Sequence, residues 1–207
     1  MPRLAIRLAT PDDATAVTAV FHAAIHGKAA RSYDAEQLAA WCAGRTEAQF
    51  RRELELGMNP FLVAEAVDPG GPPAPPADGA MSSVPAPSPA VVGFGALRGD
   101  EVAYLYAAPQ APPGTGHALL RALERHAVEQ GWPELRLTAS LNALDFYKDH
   151  GYRELRRDIR TMSVDGGFVR LVAIEARKRL VEKAARKRSV VDDAQPAQGT
   201  EEAALAE

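Results

Sequence analysis

A single cysteine, Cys42, stands in 207 residues, so no disulfide can close within the chain and no thiolate cluster is in prospect for a metal. No apolar run is long enough to span a bilayer, and the N-terminus "MPRLAIRLATPDDATA" lacks the unbroken apolar stretch of a signal peptide. No membrane partner is therefore expected, and the chain reads as cytoplasmic. Positive charge is not in excess either. The formal net charge of -3 gives no general attraction to nucleic acid, which is not expected as a partner. Lysine is scarce beside arginine, a bias from which no function follows. What is present is an ordinary soluble composition, 46% hydrophobic and 25% charged, with room for one well-buried domain and hardly for a second.

Strand and helix signals alternate along the chain. A short strand over Leu4–Leu8 precedes Thr10, a candidate N-cap, with Pro11 at the first helical position and Asp12 and Asp13 in the first turn. The helix that follows, to about Ile25, sets Val17, Val20, Phe21 and Ile25 on one face. Asp34 with Gln37 and Thr46 with Gln49 are spaced as capping boxes for two further helices, the second stopping at Gly57. "FLVAEAV" reads as a strand from Phe61, and "VVGFGALRGDEVAYLYAA" as two strands with a tight turn at Arg98, Gly99 and Asp100. Between them Asp68–Pro89 is rich in proline, glycine and alanine, and is expected to be a disordered hairpin insertion. A helix from about Gly116 to Gln130, a strand "LRLTAS" and a short helix closed by Gly151 come next. A hairpin turning at Asp165 to Gly167 ends a domain placed at residues 1–175, and an exposed strand of that hairpin could pair across a homodimer. The charged tail over 176–207 reads as a frayed helix running into disorder.

The junction "PQAPPGTGHALLRALERHA" carries the first chemical signal. A strand, a glycine-containing loop and a helix N-terminus make a general anion site, because unpaired backbone N–H groups converge there and the helix dipole adds to them. No Gly-Lys-Ser/Thr follows, which excludes a P-loop. A third glycine and a distant acidic residue are missing, which excludes a dinucleotide fingerprint. A Gly-x-Gly alone would serve equally for tight helix packing. Elsewhere His22 and His26 lie four apart, a metal-compatible spacing, but no third ligand is evident and no metal is expected.

Taken together, "LYAAP", "GTGHALLRALERHA" and "LRLTASLNALDFYKDHGY" closely resemble, in order and spacing, the GNAT superfamily of N-acetyltransferases. The ordered "NA…FY…GY" set is the specific part. Excluding the proline-rich insertion, the resemblance covers about Leu4 to Glu175. It implies an α/β fold with a mixed central sheet, helices on both faces, and parallel strands splayed at the cofactor cleft. It also implies acetyl-coenzyme A as acyl donor. The strand ending Leu105, Tyr106, Ala107 would run beside the acyl-pantetheine arm, and Gly114, Thr115, Gly116, His117 and Ala118 would present N–H groups to the pyrophosphate. Asn142 would reach the pantetheine where the next strand splays away, unless it only caps the following helix. Tyr147 would stand near the thioester sulfur as the catalytic acid, unless it is only a core aromatic.

The implied reaction is attack of a neutral amine, of a small molecule or else of a protein, on a thioester carbonyl. Main-chain donors can stabilise the oxyanion, and a tyrosine hydroxyl can protonate the departing thiolate. Glu65, Glu101, His22 and Tyr33 are candidates for the general base, none of them distinguished. The loop departs from the family at Ala111, Pro112 and Pro113, where the family carries a glutamine or arginine, a glycine and an arginine; proline supplies no N–H. A non-catalytic acyl-coenzyme A-binding or regulatory module with the same fold is the alternative.

Overall fold

In strand β2 (Phe61–Val67), Phe61 and Val63 are buried on one side and Leu62 and Ala64 on the other, so both faces of the sheet must be covered. The computed structural model describes residues 3–57, 60–67, 90–164 and 167–180, and shows how the cover is supplied. Helices α1 (Ala14–Lys28), α2 (Ala35–Cys42) and α3 (Glu47–Glu55) lie on one face, where Phe21, Ile25 and Phe50 pack with Phe61, Phe94 and Tyr104. Helix α4 (Thr115–Glu129) and the short α5 (Leu144–Asp149) lie on the other, where Leu119, Leu120 and Leu123 pack with Leu62, Ala64 and Ile174.

The remaining strands are β1 (Arg3–Leu8), β3 (Ala90–Arg98), β4 (Glu101–Ala107), β5 (Glu134–Ser140), β6 (Arg153–Val164) and β7 (Gly167–Arg179). The seven strands follow the order β1-β2-β3-β4-β5-β7-β6, antiparallel except for β4 and β5. The mixed sheet with helices on both faces is thus the architecture expected. The C-terminal hairpin leaves β6 on the sheet edge, with Leu155 and Ile159 exposed.

Local chemistry explains the helix starts. Both capping boxes form, with the Asp34 carboxylate accepting the Gln37 N–H at 2.8 Å and the Thr46 hydroxyl accepting that of Gln49 at 3.3 Å. Pro11–Asp13 form a 3-10 turn before α1, which runs to Lys28 and so passes the expected end. Gly99, at φ +56°, makes the β3–β4 turn that an L side chain would strain. Strand β7 continues to Arg179, so residues 176–179, expected to open a frayed helical tail, belong to the sheet: they pair with β5, Ala176 opposite Leu137 and Arg179 opposite Glu134. The expected insertion over 68–89, the turn residues 165–166 and the tail beyond 180 lie outside the described residues.

Candidate active site

The site originates in a one-residue bulge. Ala96 pairs with Tyr104 and Leu97 with Val102, leaving Ala103 as an extra residue in β4. Beside it, the parallel ladder to β5 holds only two pairs, Glu101 with Arg136 and Val102 with Leu137. Past Val102 the strands part. Strand β5 continues along β7 to Ser140, while β4 continues along β3 to Ala107. The β4 edge over Leu105, Tyr106 and Ala107 therefore faces an opening instead of a neighbouring strand, and an extended ligand can complete its hydrogen bonds.

A cavity of about 350 Å³ fills that opening. It collects nearly all the residues expected at the site: Leu105, Tyr106 and Ala107 from β4, Gly114 to His117 from the loop and α4, Asn142 from the turn after β5, and Tyr147 from α5. Ala118 does not line it. Its N–H donates to the Gly114 carbonyl at 2.8 Å, closing the first turn of α4. The Thr115 N–H is engaged by the Pro112 carbonyl at 3.2 Å, and the Thr115 hydroxyl donates to the same oxygen at 2.7 Å. Of the five N–H groups named from sequence, Gly114, Gly116 and His117 remain unpaired among the described residues. Gly114 takes φ +88° to turn the chain into the helix. The two prolines remove donors, yet the carbonyl of Pro112 fixes the loop against Thr115.

Asn142 sits in a 3-10 turn, Leu141–Ala143. Ser140 caps that turn and Ala143 caps α5, so Asn142 is not the helix cap that sequence left open. Tyr147 is buried, with its ring edge-on to Phe146 and Tyr152, and its hydroxyl has no hydrogen-bond partner among the described residues. Burial holds its phenol well above the ordinary tyrosine range, helped by nearby Tyr106, which burial raises likewise.

A second cavity, of about 460 Å³, opens on the far side of Trp41 and Tyr106, which line both. Into it face Arg45, Gln49, Tyr104 and Met162. The Tyr104 hydroxyl donates to Glu53 Oε2 at 2.8 Å and accepts from Arg45 at 2.6 Å, and burial pushes its phenol up to about 12. Sequence reasoning missed this trio, because its members come from three separate segments and no local pattern joins them. It also missed Trp41 and Phe146 as cavity walls. The candidates for general base fall elsewhere. Glu65 pairs with Arg7, Glu101 lies at the closed end of β4, and the Tyr33 hydroxyl is held in two main-chain hydrogen bonds. No carboxylate lines the first cavity among the described residues.

At the mouth, His117 Nδ1 lies 2.7 Å from His150 Nε2, and His150 Nδ1 lies 2.7 Å from the Phe146 carbonyl. A carbonyl only accepts, so His150 Nδ1 carries a proton and one further proton lies between the rings.

The comparisons with known proteins agree with this geometry. The family model described as an acetyltransferase (GNAT) domain matches residues 84–164. A GCN5-related N-acetyltransferase from Rhodopseudomonas palustris is 30% identical, with a TM-score of 0.63, covering 86% of this chain and 96% of its own. The chain belongs to the GNAT superfamily. The same fold is found in the PaiA N-acetyltransferase of Thermoplasma acidophilum, solved with coenzyme A, at 18% identity and a TM-score of 0.56, covering 86% of this chain and 99% of its own. It recurs in YncA of Salmonella typhimurium, solved with its cofactor acetyl-CoA, at 19% identity and a TM-score of 0.53, covering 88% and 96%. None of the curated proteins matches the sequence. Among the described residues no helix is long and apolar enough to cross a membrane.

Proposed function

We propose that this GNAT protein transfers the acetyl group of acetyl-coenzyme A to the amine of a small molecule. The observation that carries the reading is the parting of β4 and β5 after Val102, which opens an unpaired strand edge onto a helix N-terminus. The residues fit such a donor. The N–H groups of Gly114, Gly116 and His117 meet the pyrophosphate, the β4 edge over Leu105 to Ala107 meets the pantetheine amides, and Asn142 closes the arm from the β5 side.

Acetyl-coenzyme A supplies the activated acyl group and a thiolate leaving group. The main chain of β4 holds the thioester and stabilises charge developing on its oxygen. The Tyr147 hydroxyl, un-ionised because it is buried and with no partner among the described residues, gives its proton to the departing sulfur. The acceptor enters through the second cavity, where Trp41 and Tyr106 form the partition between the substrates. Its amine loses a proton to water on that side, where Glu53 is reached through Tyr104. Positioning two substrates in one groove contributes much of the rate.

A small acceptor is our reading of the second cavity, a space of about 460 Å³ lined by Arg45, Tyr104, Tyr106 and Met162. The non-catalytic reading draws on the lack of a carboxylate among the described residues of the first cavity. Release of free thiol from acetyl-coenzyme A, measured over a panel of small amines and of peptides, decides among the three. Acetylated small amine is the result expected. Acetylated peptide alone would move the acceptor class to proteins, and tight donor binding with no product from either panel would favour the binding module.

A further inference from the structure

The structure brings Cys42 beside His22 and His26, for which the sequence offered no third candidate ligand. Both histidines project from α1, one turn apart, and Cys42 ends α2. One ligand atom from each of the three residues lies within 4.8 Å of the other two. Cys42 Sγ is 3.7 Å from His26 Nε2. A tetrahedral zinc with bonds of about 2.3 Å to sulfur and about 2.05 Å to nitrogen sets those two atoms about 3.6 Å apart, so this edge is nearly formed. The remaining edges, none longer than 4.8 Å, close by at most about 1.5 Å each.

The surroundings suit a metal. The Arg45 carbonyl, 3.2 Å from His22 Nε2, can only accept, so it takes that ring proton and fixes the ring as an outer partner does at metal sites, and His22 would bind an ion through Nδ1. The Arg45 guanidinium is engaged by Glu53 and Tyr104. His26 is exposed and the other two are partly so, which leaves a path for the ion and for water.

We propose that His22, His26 and Cys42 form a zinc site with an open fourth position. Two imidazoles and a thiolate are a borderline-soft set that selects zinc over magnesium or calcium. Cys42 binds as thiolate and its proton passes to solvent. The ion joins α1 to the end of α2 beside Trp41 and Arg45, which face the second cavity. It is therefore a brace for that wall, separate from the acetyl-transfer chemistry.

The test is titration of the tag-free, chelator-stripped full chain with cobalt(II), then with zinc. One equivalent of cobalt should raise a thiolate-to-metal charge-transfer band in the near ultraviolet, and zinc should abolish it. Cys42→Ser should remove the band, and His22→Ala and His26→Ala should each weaken binding at least as much as loss of an outer partner does, about 10–100-fold. His126→Gln, on the far side of the sheet, should change nothing. Zinc should raise the melting temperature of the parent chain and not that of Cys42→Ser. Absence of the band, or binding that survives all three ligand substitutions, would overturn the site.

Discussion

The Tyr33 hydroxyl accepts the backbone N–H of Leu141 at 2.9 Å, and so ties the helical N-terminal region to the turn that carries Asn142. The same hydroxyl donates to the Val172 carbonyl at 2.8 Å. A residue that sequence offered as a general base is thus a clamp between the Leu141 turn and strand β7. Burial raises its phenol, which keeps the donor in place.

Tyr33→Phe keeps the ring, which packs edge-on to Trp41, and removes both hydrogen bonds. Stranding the Leu141 N–H should cost about 1–3 kcal/mol in urea denaturation. Loosening the Asn142 turn should raise KM for the donor more than it lowers kcat. Equal stability would mean that water replaces the phenol at no loss.

Much of the scaffold was legible because its signals are local. Capping boxes at Asp34 and Thr46, the turn at Gly99 and the Gly114 junction each declare themselves within a few residues. The residues expected to line the donor cleft also came together, apart from Ala118. What could not be read depends on register and on chain crossing. The bulge at Ala103 opens the cleft, yet only the pairing of Ala96 and Leu97 reveals it. The Arg45–Glu53–Tyr104 trio and the Cys42 partner of His26 are likewise products of packing. The tail was misread at residues 176–179, where charge suggested a helix but pairing with β5 extends β7.

Acid should unfold the protein partly through Asp13. Its carboxylate accepts two hydrogen bonds from Arg7 at 2.8 Å and the Thr10 N–H at 2.7 Å. The Arg7 guanidinium is the main cause holding that carboxyl below its usual range. A group lowered by folding gives stability that is complete above its unfolded value of about 3.9 and is lost as pH falls through the folded value. Asp13→Asn should therefore lower the melting temperature at neutral pH and flatten its fall below about pH 4. An unchanged acid limb would assign that limb to other carboxylates.

Gly93, on β3 against α4, and Gly116, in the first turn of α4, should behave differently. A Cβ at Gly93 would come 2.8 Å from Thr115 Cγ2 and 3.0 Å from the Tyr106 carbonyl, so Gly93→Ala should push α4 off the sheet. Overpacking of this kind costs about 1–3 kcal/mol. At Gly116 a Cβ would meet only Phe146, at 3.5 Å, in ordinary contact. Gly116→Ala should fold with a parent-like melting temperature, while the methyl crowds a pyrophosphate on its N–H and weakens donor binding by about tenfold, or roughly 1.4 kcal/mol. Calorimetric titration with acetyl-coenzyme A separates the two. Unchanged affinity in Gly116→Ala would place the phosphates elsewhere.

The Tyr147 hydroxyl is the sharpest test of the proposed chemistry. Tyr147→Phe retains the ring that packs against Phe146 and Tyr152, with centroids 5.3 and 5.5 Å away. No protein hydrogen bond among the described residues is lost, so the fold and donor affinity should survive. Turnover should fall by about ten- to a thousandfold, the range for removing one acid or polarising donor. The loss should lie in kcat, because the thiolate develops after both substrates are bound. Burial raises the phenol, so the parent enzyme should show no alkaline fall in kcat from Tyr147 ionising near the ordinary tyrosine range. A parent-like kcat in Tyr147→Phe would leave the thiolate to be protonated by water, and Tyr147 would then serve only as a wall of the cavity.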